Sequence, residues 1–169
     1  GHMLVWPAFE WLPDDLEEHR TDPTYIRQRI HDHIRFIVGH PAFKGKLVDW
    51  NVINEPAHLR DLEEVFGGIE EYAEWFKLAA EIDSTARLYI NEYEILSAGG
   101  MNISIQEQFK EIIESIEANG GPVHGVGLES HVGYPLASPD LVYDIIDEYA
   151  LIGDGKEISI SEYDAKEVE

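Results

Sequence analysis

The chain has 169 residues, with 12 Lys+Arg against 34 Asp+Glu for a net charge of −22, and no cysteine. That length suits one domain, and 44% hydrophobic residues supply a sizeable core. The charge argues against nucleic acid and anionic membranes as partners, the missing cysteine excludes disulfides, a thiolate nucleophile and a thiolate zinc site, and neither a signal peptide nor an apolar run of about 20 residues is present.

Met3–Trp6 reads as a short first strand closed by Pro7. Tyr25, Ile26, Ile30, Ile34 and Ile37-Val38 recur at helical spacing until Gly39 and Pro41. Leu47–Ile53 reads as a second strand, and an acidic, irregular stretch follows it. Ile69, Tyr72, Ala73, Phe76 and Ala80 mark a helix over 69–82, and Ala86–Asn91 a third strand. A helix begins at Ser104 with a buried stripe of Ile105, Phe109, Ile112, Ile113 and Ile116, stopped by Asn119-Gly120-Gly121-Pro122. Val123–Leu128 is the fourth strand, Pro139 opens the last helix, Gly153 closes it, and Glu157–Ser161 is the fifth strand. Acidic runs such as Asp14–Glu18 and Asp61–Glu64 read as solvated loop or helix-start faces.

Alternating strands and helices with crossovers of this length imply a parallel sheet. Two α/β architectures satisfy the pattern: a five-stranded doubly wound sheet, or part of a TIM (β/α)8 barrel. No Gly-rich nucleotide motif follows the first strand. Four successive strands run into polar clusters: Asn54-Glu55-Pro56, Asn91-Glu92-Tyr93, Glu129-Ser130-His131 and Glu162-Tyr163-Asp164. In a barrel those ends converge on one face, where the chemistry sits. A site of Glu, Asn, His, Trp and Tyr without Lys, Arg or Cys suits a neutral polyhydroxylated ligand. Two carboxylates there can protonate a departing oxygen and attack an anomeric carbon or activate water. The same spacing also admits an oxygen-rich divalent metal site on Glu55, Glu129, His131 and Glu162.

Asp49-Trp50-Asn51-Val52-Ile53-Asn54-Glu55-Pro56, Leu88-Tyr89-Ile90-Asn91-Glu92-Tyr93, Gly125–His131 and Ile158–Asp164 together resemble glycoside hydrolase family 10, the endo-1,4-β-xylanases. Gly1-His2-Met3-Leu4-Val5-Trp6 resembles that family's strand-three signature. The resemblance implies a partial TIM barrel of about five β/α units, residues 1–169 forming a catalytic domain incomplete at both ends. It implies endo-acting, retaining hydrolysis of xylan or xylo-oligosaccharides without a cofactor or metal. Glu55 matches the general acid/base, Glu162 the nucleophile, and His131 the residue that orients the nucleophile. Asn54, His2 and Trp6 match sugar-contacting residues, with Glu129 and Tyr93 added as substrate-binding positions. Tyr93 reads equally as packing, and Asp164 equally as a helix cap.

Barrel strands one, two and eight have no counterpart, so the rest of the barrel is expected in a parent chain and the isolated segment is expected to have little xylanase activity. A polysaccharide hydrolase implies a secreted or cell-surface setting. Gly1-His2-Met3 is read as native; as a cloning remnant it would take His2 out of the site. Pro7, Phe9 and Glu129 depart from the family's His, Gln and Gln and put substrate preference in doubt. Glu129 is expected to share a proton with Glu162. The alternatives are another β-glycanase of the same clan and a non-catalytic carbohydrate-binding barrel fragment.

Overall fold

The structure is a computed structural model that describes residues 1–133 and 135–165. Four strands form one parallel sheet in sequence order: β1 (Asp49–Asn54), β2 (Arg87–Glu92), β3 (Gly125–Val132) and β4 (Glu157–Ala165). The helices are α1 (Asp14–Glu18), α2 (Pro23–Val38), α3 (Asp61–Phe66), α4 (Glu71–Ile82), α5 (Ile103–Ala118) and α6 (Pro139–Ala150). This is part of a (β/α) barrel, as the motifs predict; the alternation alone also fits a doubly wound sheet. Among the described residues no helix is long and apolar enough to cross a membrane.

The helix starts follow from local chemistry. Asp22 caps α2 by accepting from Thr24 N and Tyr25 N at 3.1 and 3.0 Å, with Pro23 as the first helical residue. Ser138 caps α6 in the same way ahead of Pro139. The stripe Ile26, Ile30, Ile34 and Val38 turns α2 into the core, where it packs on α4. Helix α4 buries Tyr72, Trp75 and Phe76 completely and packs against β1 and β2, while α6 packs against β4. Leu88, Ile90, Val126 and Leu128 face this layer and are fully buried. The opposite face of the sheet is polar and borders a cavity of about 220 Å³ lined by His2, Asn51, Tyr89, Asn91, Gly127 and Ser161.

One expectation changes. Met3–Trp6 does not form a strand of the sheet: a single bridge pairs Val5 with Ile53, and Leu4 N and Val5 N donate to Asn51 O and Val52 O at 2.9 and 3.0 Å. Pro7 has no N–H to continue the ladder. Of the two readings open for the acidic runs 14–18 and 61–64, the helical one holds: they form α1 and the start of α3.

Register defects shape the sheet where it matters. Between β1 and β2, Asn51 pairs with Tyr89 and Ile53 with Ile90, so Val52 is an extra residue. Between β3 and β4, Glu129 pairs with Ser161 and His131 with Asp164, so Glu162 and Tyr163 together oppose Ser130. A bulge of this kind bends a strand and re-aims its side chains.

Candidate active site

The first bulge decides which side chains of β1 meet. In an unbroken strand, residues three apart point to opposite faces. The extra residue at Val52 puts Asn51 and Asn54 on one face, and Asn51 Nδ2 donates to Asn54 Oδ1 at 2.7 Å. Asn51 also meets the His2 imidazole at 3.1 Å, which ties the first segment to the site. Asn54 Nδ2 donates to Glu55 Oε1 at 3.1 Å, and Trp6 Nε1 donates to Glu55 Oε2 at 3.0 Å. Trp6 itself stacks on Trp11, with ring centroids 4.7 Å apart.

The second bulge does the same for β4. Glu162 lies within it at φ 49, and Glu55, just past the end of β1, has φ 55. Both glutamates are therefore held in the left-handed region, where Cβ crowds the following carbonyl oxygen. Their turned backbones send two carboxylates onto the polar end of the sheet.

Between them stands Asn91, on β2. Its Nδ2 lies 2.9 Å from Asn54 Oδ1, 2.9 Å from Glu162 Oε1 and 2.6 Å from Glu129 Oε1, and its Oδ1 accepts from Ser161 Oγ at 2.5 Å. Gly127 on β3 makes room for it, since a Cβ there would collide with the Asn91 amide. The path from Glu55 to Glu162 thus runs through two amides only.

His131 and Asp164 complete the cluster on the β3–β4 side. Asp164 Oδ2 is 2.7 Å from His131 Nδ1, and a carboxylate only accepts, so that nitrogen carries hydrogen. His131 Nε2 then faces Glu162 Oε2 at 3.5 Å and Glu129 Oε2 at 3.6 Å, and His2 Nε2 is 3.5 Å from Glu162 Oε1. Asp164 is a strand residue whose carboxylate meets His131, not a helix cap.

Burial and like charge set the protonation pattern. Burial pushes the Glu55 carboxyl above its ordinary range, partly opposed by the Trp6 hydrogen bond and reinforced by Glu92 and Glu162. Glu129 is completely enclosed and is pushed up to about 9, by burial first and then by Glu162, Glu55 and Glu92. A carboxyl so placed holds its proton at neutral pH.

Glu55, Glu162, Asn54, His131, His2, Trp6 and Glu129 are therefore brought into one network. Tyr93 stands outside its hydrogen bonds and stacks on His58 at 3.6 Å between centroids. Phe9, one of the departures from the family pattern, has its ring buried in the core, with the Arg20 guanidinium over it at 5.2 Å.

No motif assigns Asn51, Asn91 or Ser161 a place in the site. Glu92, singled out only as part of a strand-end cluster and given no role, is a second buried carboxylate: it accepts from Ala57 N at 2.7 Å, Tyr93 N at 2.9 Å and His58 Nδ1 at 2.7 Å. Desolvation works against a charged His58, but the Glu92 and Glu94 carboxylates outweigh it and raise its pKa. This pair anchors the turn that immediately follows Glu55.

The metal arrangement that spacing admits narrows to three residues. Atoms of Glu129, His131 and Glu162 lie within 4.8 Å of one another, and Glu55 is not in the group.

The profile described as "Glycosyl hydrolase family 10" matches residues 1–169. The chain is 29% identical to a beta-1,4-xylanase of Dictyoglomus thermophilum, covering 97% of this chain and 45% of that protein. It is 34% identical to endo-1,4-beta-xylanase A of Humicola insolens, over 78% of this chain and 34% of that protein. Xylanase 10B of Thermotoga petrophila RKU-1, solved in complex with xylobiose, superposes with a TM-score of 0.77 at 26% identity, over 94% of this chain and 47% of that one. The chain thus spans less than half the length of each of these relatives.

Proposed function

Since the chain belongs to glycosyl hydrolase family 10, we propose that its site carries endo-acting, retaining hydrolysis of β-1,4-xylosidic bonds in xylan. The observation that bears most weight is the pairing of Glu55 and Glu162 through Asn54 and Asn91, on strand ends that face the same way. In this reading Glu55 protonates the departing oxygen, and its raised pKa keeps it in the acid form that the step needs. Glu162 attacks the anomeric carbon, giving a covalent glycosyl-enzyme. Glu55, now a carboxylate, removes a proton from the water that releases the sugar. Asn54 and His2 pair with sugar hydroxyls, the Trp6 face covers the ring, and Tyr93 is a further substrate-binding position. His131, fixed by Asp164, orients Glu162.

The names of the relatives favour xylan over other β-glycans. A retaining pair of carboxyl groups stands about 5–5.5 Å apart, and an inverting pair about 6.5–9.5 Å. The test is proton NMR of the first-formed product from a xylo-oligosaccharide, with mass spectrometry after trapping by an activated 2-fluoro xylobioside. The β-anomer first, with the adduct on Glu162, supports the proposal. The α-anomer first, or an adduct elsewhere, overturns the retaining assignment. A panel with cellulose and mannan oligosaccharides tests substrate: preference for either overturns xylan.

A further inference from the structure

One feature of the cluster has no role in the proposed reaction. Glu129 Oε2 is completely enclosed and has no hydrogen-bond partner. Asn91 holds Oε1 of Glu129 and Oε1 of Glu162 at 2.6 and 2.9 Å, which leaves Oε2 of both free to face a third group. That group is His131 Nε2, 3.6 and 3.5 Å away. These separations are long for hydrogen bonds but suit another geometry. Zinc bonds of about 2.0–2.2 Å to nitrogen and oxygen, arranged tetrahedrally, place neighbouring donor atoms roughly 3.3–3.6 Å apart.

We propose that Glu129, His131 and Glu162 form a binding site for a divalent transition cation of the zinc class. His131 Nε2, Glu129 Oε2 and Glu162 Oε2 supply three ligands, the cation displacing into solvent the proton that Glu129 otherwise holds, and the fourth position opens to solvent past the part-exposed His131 and Glu162. Asp164 fits this reading as well. Its carboxylate on Nδ1 fixes the hydrogen there and presents the Nε2 lone pair, the arrangement usual behind a metal-bound histidine. Nitrogen in the donor set favours zinc, nickel or cobalt over magnesium or calcium. A cation seated here engages the Glu162 carboxylate that the proposed function uses, so it acts as an inhibitor. That consequence alone rests on the functional reading; the binding does not.

The test is calorimetric titration of the chelator-treated chain with Zn²⁺ in a non-coordinating buffer, with Mg²⁺ as the comparison. One saturable zinc site, insensitive to excess Mg²⁺, is expected. Glu129→Gln replaces the unpartnered oxygen by an NH₂ group and should weaken it at least about tenfold, as much as a group behind the ligands often contributes. Asp164→Asn should weaken it about 10- to 100-fold. If Glu129→Gln fails to fold, zinc X-ray absorption of the parent chain decides. One imidazole among light-atom ligands at about 2.0–2.2 Å supports the site, and an all-oxygen shell overturns it. No saturable binding, or equal affinity in the parent and both variants, also overturns it and leaves zinc to the acidic surface.

Discussion

Replacing Trp6 with Phe removes one donor from the site and keeps a ring to stack on Trp11. The indole N–H donates to Glu55 Oε2 at 3.0 Å, and it is the main interaction opposing the upward push of burial on that carboxyl. A hydrogen bond to a charged group contributes about 1.5–3 kcal/mol, and the lower end applies where both partners keep some solvent contact. At about 1.36 kcal/mol per unit, the loss should raise the Glu55 pKa by about 1 unit. The sign follows from the form that is stabilised: the indole favours the carboxylate, so without it the acid form persists to higher pH. Under the proposed function the basic limb of kcat/KM moves up by the same amount. Carboxyl ¹³C NMR of the labelled chain reads the titration directly and needs no turnover. A Glu55 midpoint that stays within about 0.3 unit of the parent, or falls, refutes the argument.

Tyr72→Phe should stabilise the chain by about 1 kcal/mol, because the Tyr72 hydroxyl is buried without a partner and its ring is retained; urea unfolding measures it. Gly127→Ala should cost about 1–3 kcal/mol by driving a methyl into the Asn91 amide, read as a fall in Tm of about 2–4 °C per kcal/mol. Glu162→Ala should abolish the covalent intermediate, whereas Glu55→Ala should spare aryl glycosides with good leaving groups far more than xylan. Steady-state kinetics on both substrates separates the two roles.

The long elements were legible because each has a period. The stripes on α2, α4, α5 and α6 recur every three or four residues, and β1 to β4 carry apolar residues at every second position, as at Trp50/Val52, Leu88/Ile90, Val126/Leu128 and Ile158/Ile160. Helices α1 and α3 are too short to show a period, so charge alone decided their reading. Glu55 and Glu162 were legible as strand-end carboxylates inside family-like motifs. Asn91 and Asn51 were not, because their roles depend on facing. Facing is set by bulges at Val52 and at Glu162-Tyr163, which leave no mark in hydrophobic spacing. Glu92 was hidden for another reason: a glutamate at a strand end is usually in water, and its burial depends on the turn at Ala57-His58 folding over it.

The left-handed backbones at Glu55 and Glu162 set stability against activity within the same two residues. A non-glycine residue held there costs of order 1–3 kcal/mol, and glycine relieves most of it. Glu162→Gly should therefore unfold at higher denaturant concentration than Glu162→Ala, although both lack the carboxylate. Rounds of selection for thermal resistance alone would drift toward glycine at these two positions and discard the chemistry first. A stabilised version of this chain is better sought at Tyr72 or on the helix surfaces, where nothing the site needs is under strain.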